Sequence, residues 1–423
     1  MSVKFRGFSI RQTRRSGPVA RPRACILRQD DDYEDVRREA EALAGGGFDV
    51  DVICMRGLGR PRRAVVNGVT VISLPTNRRR GSSKARHAFD YGSFFMLAAG
   101  VLAVRHLRRP YHVVQANSMP DFLVFAALVP KLLGSRVIAY MAEPTPELAE
   151  TLFGAGWISR VLVFIEQWAL RFADHSFTVT DQLKKEYVKR GAAPDRITVI
   201  LNGADPGTIL PDVAPTRVEG KSEFIAVCHG TIEERYGQET IIAAALLLRH
   251  EIPDLRFVIT GRGSLAGQIT RAIAENGLQD VVRFEGWVSR ALLAEILHSA
   301  DVGIVAQKAS PYSHLVHTNK MIDYWIFGLP VIASRLRAVS ETYDDDVIEY
   351  FEPGNPAQLA AAIRRLRHDP GRRAELAENG KLALQRNGWA TQRETYLSVF
   401  AAVLGESCAG KPDRTEGSSF SAS

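Results

Sequence analysis

The chain has 423 residues, more than one ordinary core holds and suited to two domains of about 200 residues each. Its 46% hydrophobic and 24% charged residues are ordinary for a soluble globular protein, and four cysteines (Cys25, Cys54, Cys228, Cys408) without CxxC spacing argue against a disulfide framework or a zinc site. The formal net charge of +7 is unaccompanied by interleaved aromatic residues or a recognised motif, which argues against nucleic-acid binding.

Residues 1–22 are basic (Lys4, Arg6, Arg11, Arg14, Arg15, Arg21) without an apolar h-region, so they read as a disordered arm and not a secretory signal. Strand-like runs follow at Ala24–Leu27, Val50–Cys54, Val69–Leu74, His112–Ala116, Arg136–Tyr140, Ser176–Val179 and Ile197–Leu201. Between them the spacing predicts helices over Asp35–Ala44, Phe89–Leu107, Phe122–Leu133, Ile158–Phe172 and Gln182–Arg190. Near-continuous apolar strands with helical crossovers predict a parallel sheet covered on both faces, over residues 23–205. Cys25, Cys54 and Cys228 sit inside such runs, as reduced thiols in a cytoplasmic protein would.

The longest uncharged apolar stretch, Tyr91–Val104, is 14 residues, short of the roughly 20 that cross a bilayer. Arg78–Arg80, Lys84 and Arg86 precede it and Arg105, Arg108 and Arg109 follow. Basic residues bracketing an apolar helix suit peripheral contact with an anionic membrane; a solvated loop is the equal alternative.

A Pro- and Gly-bearing stretch, residues 206–222, reads as a linker. The alternation resumes over residues 223–386 with strands at Phe224–Cys228, Arg256–Ile259, Val281–Phe284, Val302–Val305 and Pro330–Ala333. A C-terminal helix is expected over residues 387–404, packing back toward the first domain, before a disordered tail at 405–423. Two tandem Rossmann-like, doubly wound α/β domains facing a cleft follow, with ligands expected beyond the carboxyl ends of the strands.

Two segments carry chemistry. After the strand at Val302–Val305, Thr318 or Asn319 is a natural N-cap, and the helix beginning at Lys320 presents free N–H groups suited to phosphate. Lys320 adds charge there, Asp323 stands one turn on for ribose hydroxyls, and His317 lies at the junction. In the same half, His229-Gly230-Thr231-Ile232-Glu233-Glu234-Arg235-Tyr236-Gly237 follows a strand. Gly230 and Gly237 permit close approach, and Arg235 offers a planar fork to phosphate oxygens. Two cations converging on one helix N-terminus favour a diphosphate site. The alternative is a capped helix with a surface ion pair.

Together these segments resemble glycosyltransferase family 4, retaining enzymes of the two-domain GT-B fold, over most of Arg23–Leu404. Asp35–Ala40, Ala173-Asp174, Asn202-Gly203-Ala204-Asp205 and Gly261-Arg262-Gly263 also match. The resemblance implies a metal-independent transferase with no cofactor, using a UDP- or GDP-sugar as substrate. It implies Arg235, Lys320 and Glu143 as catalytic groups. Donor contacts would come from Gly230, Thr231, Arg235, Trp287, Val288, His317, Thr318, Asn319, Lys320 and Asp323. The expected acceptor is a glycan or lipid-linked molecule at the inner membrane face. Departures are Leu315 at the family's first Glu, Thr231 and Tyr236 at its usual Arg and Lys, and Ala142 in Tyr140–Glu147 at its His. Alternatives are a non-catalytic nucleotide-sugar-binding scaffold subunit and a nucleotide-sugar epimerase of related fold. A dinucleotide dehydrogenase is disfavoured because neither half has Gly-x-Gly-x-x-Gly after its first strand. Asp30–Asp32 and Asp344–Asp346 read as a cleft loop and a solvated turn, not a metal site.

Overall fold

The computed structural model describes residues 21–29, 34–56, 61–76, 84–154, 156–201, 203 and 223–409. The basic arm up to Ala20, Asp30–Asp32, Arg78–Arg80, Asn202 and the linker's 206–222 lie outside them.

The first domain is an eight-stranded sheet: β1 (Arg23–Arg28), β2 (Asp49–Met55), β3 (Arg63–Val66), β4 (Val69–Leu74), β5 (Val113–Asn117), β6 (Arg136–Met141), β7 (His175–Thr178) and β8 (Ile197–Val199), in the order β3-β4-β2-β1-β5-β6-β7-β8. All pairs are parallel except β3–β4, a hairpin turned at Asn67 (φ 49°) and Gly68 (φ 81°). An Asn-Gly pair with both φ positive is the favoured two-residue connection. This edge strand was not anticipated. Its exposed Arg-Ala-Val-Val lacks a buried run, and only the Asn-Gly signal marked it.

The crossovers are α1 (Glu34–Gly45), α2 (Lys84–Arg108), a 3₁₀ turn (Asp121–Ala127) running into α3 (Leu128–Leu132), α4 (Thr145–Phe153) with α5 (Trp157–Phe172), and α6 (Asp181–Lys189). Phe94, Ala98 and Leu102 of α2 are buried in the domain core, so one face of that helix covers the sheet while Phe89, Met96, Leu97, Val104 and Leu107 on the same helix are exposed. Among the described residues no helix is long and apolar enough to cross a membrane.

The second domain is a six-stranded, fully parallel sheet of β9 (Phe224–His229), β10 (Leu255–Thr260), β11 (Val282–Gly286), β12 (Val302–Val305), β13 (Val331–Ser334) and β14 (Ile348–Phe351), in the order β11-β10-β9-β12-β13-β14. Its helices are α7 (Gln238–Leu248), α8 (Ala266–Glu275), α9 (Arg290–Ser299), α10 (Asn319–Ile326), α11 (Arg337–Ser340), α12 (Pro356–His368) and α13 (Pro370–Asn387).

The chain then returns. In α14 (Trp389–Ala409), Tyr396 and Phe400 are buried in the first domain's core, and the Tyr396 hydroxyl donates to Gln115 Oε1 at 2.8 Å. The helix runs on to Ala409, which corrects a tail beginning at Gly405. A second tie is the loop after β12. The Thr180 hydroxyl donates to the Leu315 carbonyl, and the Leu315 side chain is buried among first-domain residues. Leu315 is thus a hydrophobic plug at the domain seam.

Candidate functional site

The loops beyond β9 and β10 are built from backbone against backbone. Beyond β9 the chain turns at Gly230 (φ 106°), and beyond β10 at Gly261 (φ 146°). A Cβ on Gly261 would lie 1.7 Å from the Gly230 carbonyl oxygen, and one on Gly263 would lie 2.0 Å from that of Ile232. No larger residue fits either place, so glycine here permits contact between the two loops. Gly230 N–H donates to Thr260 O at 2.9 Å and Ile232 N–H to Arg262 O at 3.0 Å, which fixes the pair.

Lys320, on the first turn of α10, passes beneath this arrangement; a Cβ on Gly230 would meet its Cε at 2.8 Å. Its Nζ lies 4.2 Å from the centroid of the Tyr236 ring, and the Arg235 guanidinium lies 4.8 Å from the same centroid. Lys320 is buried, and desolvation first, with Arg235 adding to it, pushes its ammonium below the usual lysine range. Arg235 Nε is buried without a hydrogen-bond partner. Two cations, buried Lys320 and half-buried Arg235, share one aromatic ring here, one of them with an orphaned N–H, and such a cluster calls for an anion. Thr318 caps α10 with extended backbone but makes no side-chain cap, so the first-turn N–H groups add to the positive end. Asn319 is exposed beside it.

Asp323 follows Lys320 by one turn, with a carboxylate oxygen 3.5 Å from His229 Nε2. Burial lifts the Asp323 carboxyl to about 7, against a smaller lowering by Lys320. Burial and then Lys320 drive the His229 imidazole down to about 3, so His229 is neutral. Its ring packs edge-on against Tyr324 at 5.1 Å.

Beside these groups lies a cavity of about 240 Å³ lined by His229, Gly230, Thr231, Arg262, Trp287 and Val288, among others. Trp287 is exposed, and the Arg262 guanidinium lies 5.9 Å from its ring centroid. The structure therefore brings together Gly230, Thr231, Arg235, Trp287, Val288, Lys320 and Asp323. It adds His229, Tyr236 and Arg262, which stand in the matching segments but were not among the expected donor contacts, because the sequence does not say where their side chains point.

His317 is a correction. Its ring is buried away from this cavity, with Nε2 2.7 Å from the Ala338 carbonyl and the ring against Tyr343, so it anchors α11 and does not reach a diphosphate. His314 and His175 are likewise held, by Arg337 N–H and the Thr198 hydroxyl.

From the first domain comes Glu143, just past β6. The Tyr312 hydroxyl, on the loop after β12, donates to Glu143 Oε2 at 2.8 Å across the seam. Desolvation raises the Glu143 carboxyl, against lowering by Tyr312, Arg28 and Arg235. Arg28 ends β1 and donates to Ser118 O at 2.8 Å. Glu147 is tied to Arg190, which also holds Glu166 at 2.9 Å, so it belongs to the domain interior. Ala142 lies beside Glu143 with its N–H on the Ser118 hydroxyl at 3.0 Å.

Residues 34–203 match the model of a Glycosyl transferase 4-like domain and residues 223–369 that of Glycosyl transferases group 1, together about three quarters of the chain. A lipopolysaccharide core biosynthesis glycosyltransferase, LpsD of Rhizobium meliloti, is 30% identical over 194 residues, covering 45% of this chain and 53% of that protein. The chain spans about half the length of the curated relatives it first matches. Among solved structures, a sucrose-phosphate synthase from Thermosynechococcus elongatus superposes with a TM-score of 0.70 at 19% identity, over 90% of this chain and 100% of that one. Anabaena HepE in complex with UDP-glucose gives 0.68 at 17%, over 90% and 99%. Two parallel α/β domains with these neighbours make the fold GT-B.

Proposed function

Because the chain belongs to the family-4 glycosyltransferases of GT-B fold, we propose that it moves a hexose-type sugar, with retention, from a UDP- or GDP-sugar to a glycan or lipid-linked acceptor. The observation that carries the donor side is the convergence of Lys320 and Arg235 on one ring beneath Gly230, with Arg235 Nε unpartnered. Relatives point the same way: HepE was solved with UDP-glucose, and LpsD is named for lipopolysaccharide core synthesis.

On this reading the C1–O bond to the diphosphate breaks as the acceptor oxygen bonds to C1 on the same face, and the acceptor proton passes to a departing phosphate oxygen. Lys320, Arg235 and the α10 N-terminus meet the diphosphate charge without a metal. Asp323 accepts from the ribose hydroxyls, and Trp287 with Val288 walls the base. Glu143 is left to orient a sugar hydroxyl at the seam. The work is placed at the inner membrane face, in surface polysaccharide or glycolipid assembly.

A thermal-shift series with UDP, GDP, ADP and their sugars tests it. UDP or GDP compounds are expected to stabilise the wild type and not Lys320→Ala; an equal response of the two, or none, removes the assignment. The anomer of the product, read by NMR, decides retention.

A further inference from the structure

The outer face of α5 has no counterpart in the sugar-transfer chemistry. Trp157, Val161, Phe164 and Trp168 recur every third or fourth residue, which puts them in one row along the helix. They face away from the sheet: Trp157 is 69% exposed, Phe164 62% and Trp168 51%. Arg160 and Arg171, also exposed, fall on the same side of the helix. The sole carboxylate in the helix, Glu166, is on the opposite face, buried and bound to Arg190.

The same face of the first sheet carries further exposed apolar residues. Successive rightward crossovers put α2, α3 and α5 on one face of the first sheet. Leu132 and Leu133 at the end of α3, and Met96 and Leu107 on α2, are exposed as well. Since β6 ends beside Glu143 and α5 runs back toward the start of β7, Trp157 lies at the cleft end of the domain, as do Leu152 and Phe153 of α4, both exposed.

We infer that the row Trp157–Val161–Phe164–Trp168 with Arg160 and Arg171 is a docking face for an anionic lipid surface, seating α5 flat at the headgroup boundary with the cleft end of the first domain beside it. Tryptophan and phenylalanine with arginine on the rim suit that boundary, where ring edges stay wet and guanidinium groups meet phosphate. A second copy of the chain fits less well. A twofold contact through this face brings a row carrying two arginines and no exposed carboxylate against its own image. The inference rests on the membrane-side acceptor reading for its setting alone. It adds α5 to the basic-flanked α2, whose Phe94, Ala98 and Leu102 are core while Met96, Leu97, Val104 and Leu107 are exposed.

The test is cosedimentation of the full chain with phosphatidylcholine vesicles, with and without phosphatidylglycerol. The wild type is expected on the mixed vesicles and much less on the neutral ones. The combined variant Trp157→Ser, Phe164→Ser, Trp168→Ser is expected to lose at least about tenfold in partition. Arg160→Glu with Arg171→Glu is expected to lose at least about fivefold per arginine, on the mixed vesicles only. All variants change exposed side chains, and an unaltered thermal shift with the nucleotide confirms that they fold; that readout also separates failure here from failure of the donor site. Three results overturn the inference: no wild-type binding to either vesicle, undiminished binding by the combined variant, or a concentration-dependent dimer in light scattering that the combined variant abolishes, which gives the face to a second copy.

Discussion

The two domains repeat one architecture but build their halves of the cleft from different materials. In the second, the loops after β9 and β10 are glycine turns packed backbone to backbone, with Lys320 threaded beneath Gly230. In the first, the loop after β6 presents side chains: Glu143 is held by Tyr312 of the other domain, Asp121 takes the Thr145 hydroxyl, and Glu147 and Glu166 share Arg190. A diphosphate is the constant part of a nucleotide-sugar, so a rigid backbone cradle suits it. On the proposed reading the acceptor is the variable part, and side chains suit it because they can differ where a backbone cradle cannot.

The largest effect expected from this contrast is on stability. Gly261→Ala places a Cβ 1.7 Å from a backbone oxygen at φ 146°, and is expected to destabilise the second domain by about 4 kcal/mol. Gly100→Ala, in α2 of the first domain with nothing within 4 Å of its Cβ, is expected to leave stability unchanged or raise it by about 1 kcal/mol. Denaturant titration of both compares the domains directly. Equal, small effects would mean that the donor loops are not held by backbone contact.

Next comes catalysis. Lys320→Ala is expected to lower kcat/KM by about 10²–10³ through loss of diphosphate stabilisation. Because burial disfavours the charged Lys320 in the free protein, the same variant is expected to unfold no more easily than wild type without ligand. Rate assays and a nucleotide-free melt make the pair of measurements. A large loss of apo stability would recast Lys320 as structural.

How far the sequence reached follows the same division. The parallel strands were legible because strands covered on both faces read as apolar runs; β14, with half-buried Glu349 and Tyr350, and the exposed β3 did not. The donor turns were legible because glycine marks a backbone need that is local in sequence. His317 was misplaced because nearness to a loop–helix junction says nothing of where a ring points; it points to Ala338. Tyr312 was invisible because its partner Glu143 is 169 residues away, and only the seam joins them. The α5 row read as a crossover helix because an apolar stripe does not say whether anything covers it.

A smaller effect is expected from pH, and it belongs to the donor half. The Asp323 carboxyl is raised from 3.8 to about 7 in the folded chain, so its burial opposes folding increasingly as pH rises through that window. Ribose hydroxyls donate to the carboxylate, so ligand binding draws on the ionised form. Affinity for a nucleotide-sugar, whose diphosphate diester does not titrate in this range, is expected to fall by up to about tenfold per unit below pH 7 and to level above it. Calorimetry across pH 5.5–8.5, a range of about three units, reads this. Asp323→Asn is expected to flatten the profile; an unchanged slope would assign the proton elsewhere. His229 is not the source, since it stays neutral down to about 3.

The smallest effect tests the first domain by itself. Glu143→Gln keeps the shape and the Tyr312 contact but removes the charge, and is expected to lower kcat by about tenfold while donor KM stays within about twofold. Tyr312→Phe removes only the bond that orients the carboxylate, so its effect is expected in the same direction and smaller. Initial-rate kinetics with donor and acceptor varied in turn separates the two substrates. If Glu143 serves the acceptor side, both variants act on kcat or on acceptor KM, and nucleotide binding by calorimetry is unmoved. If instead Glu143→Gln weakens the nucleotide as much as Lys320→Ala does, Glu143 reaches the donor through Arg235, whose charge already lowers its carboxyl, and the division of labour between the domains fails at the seam.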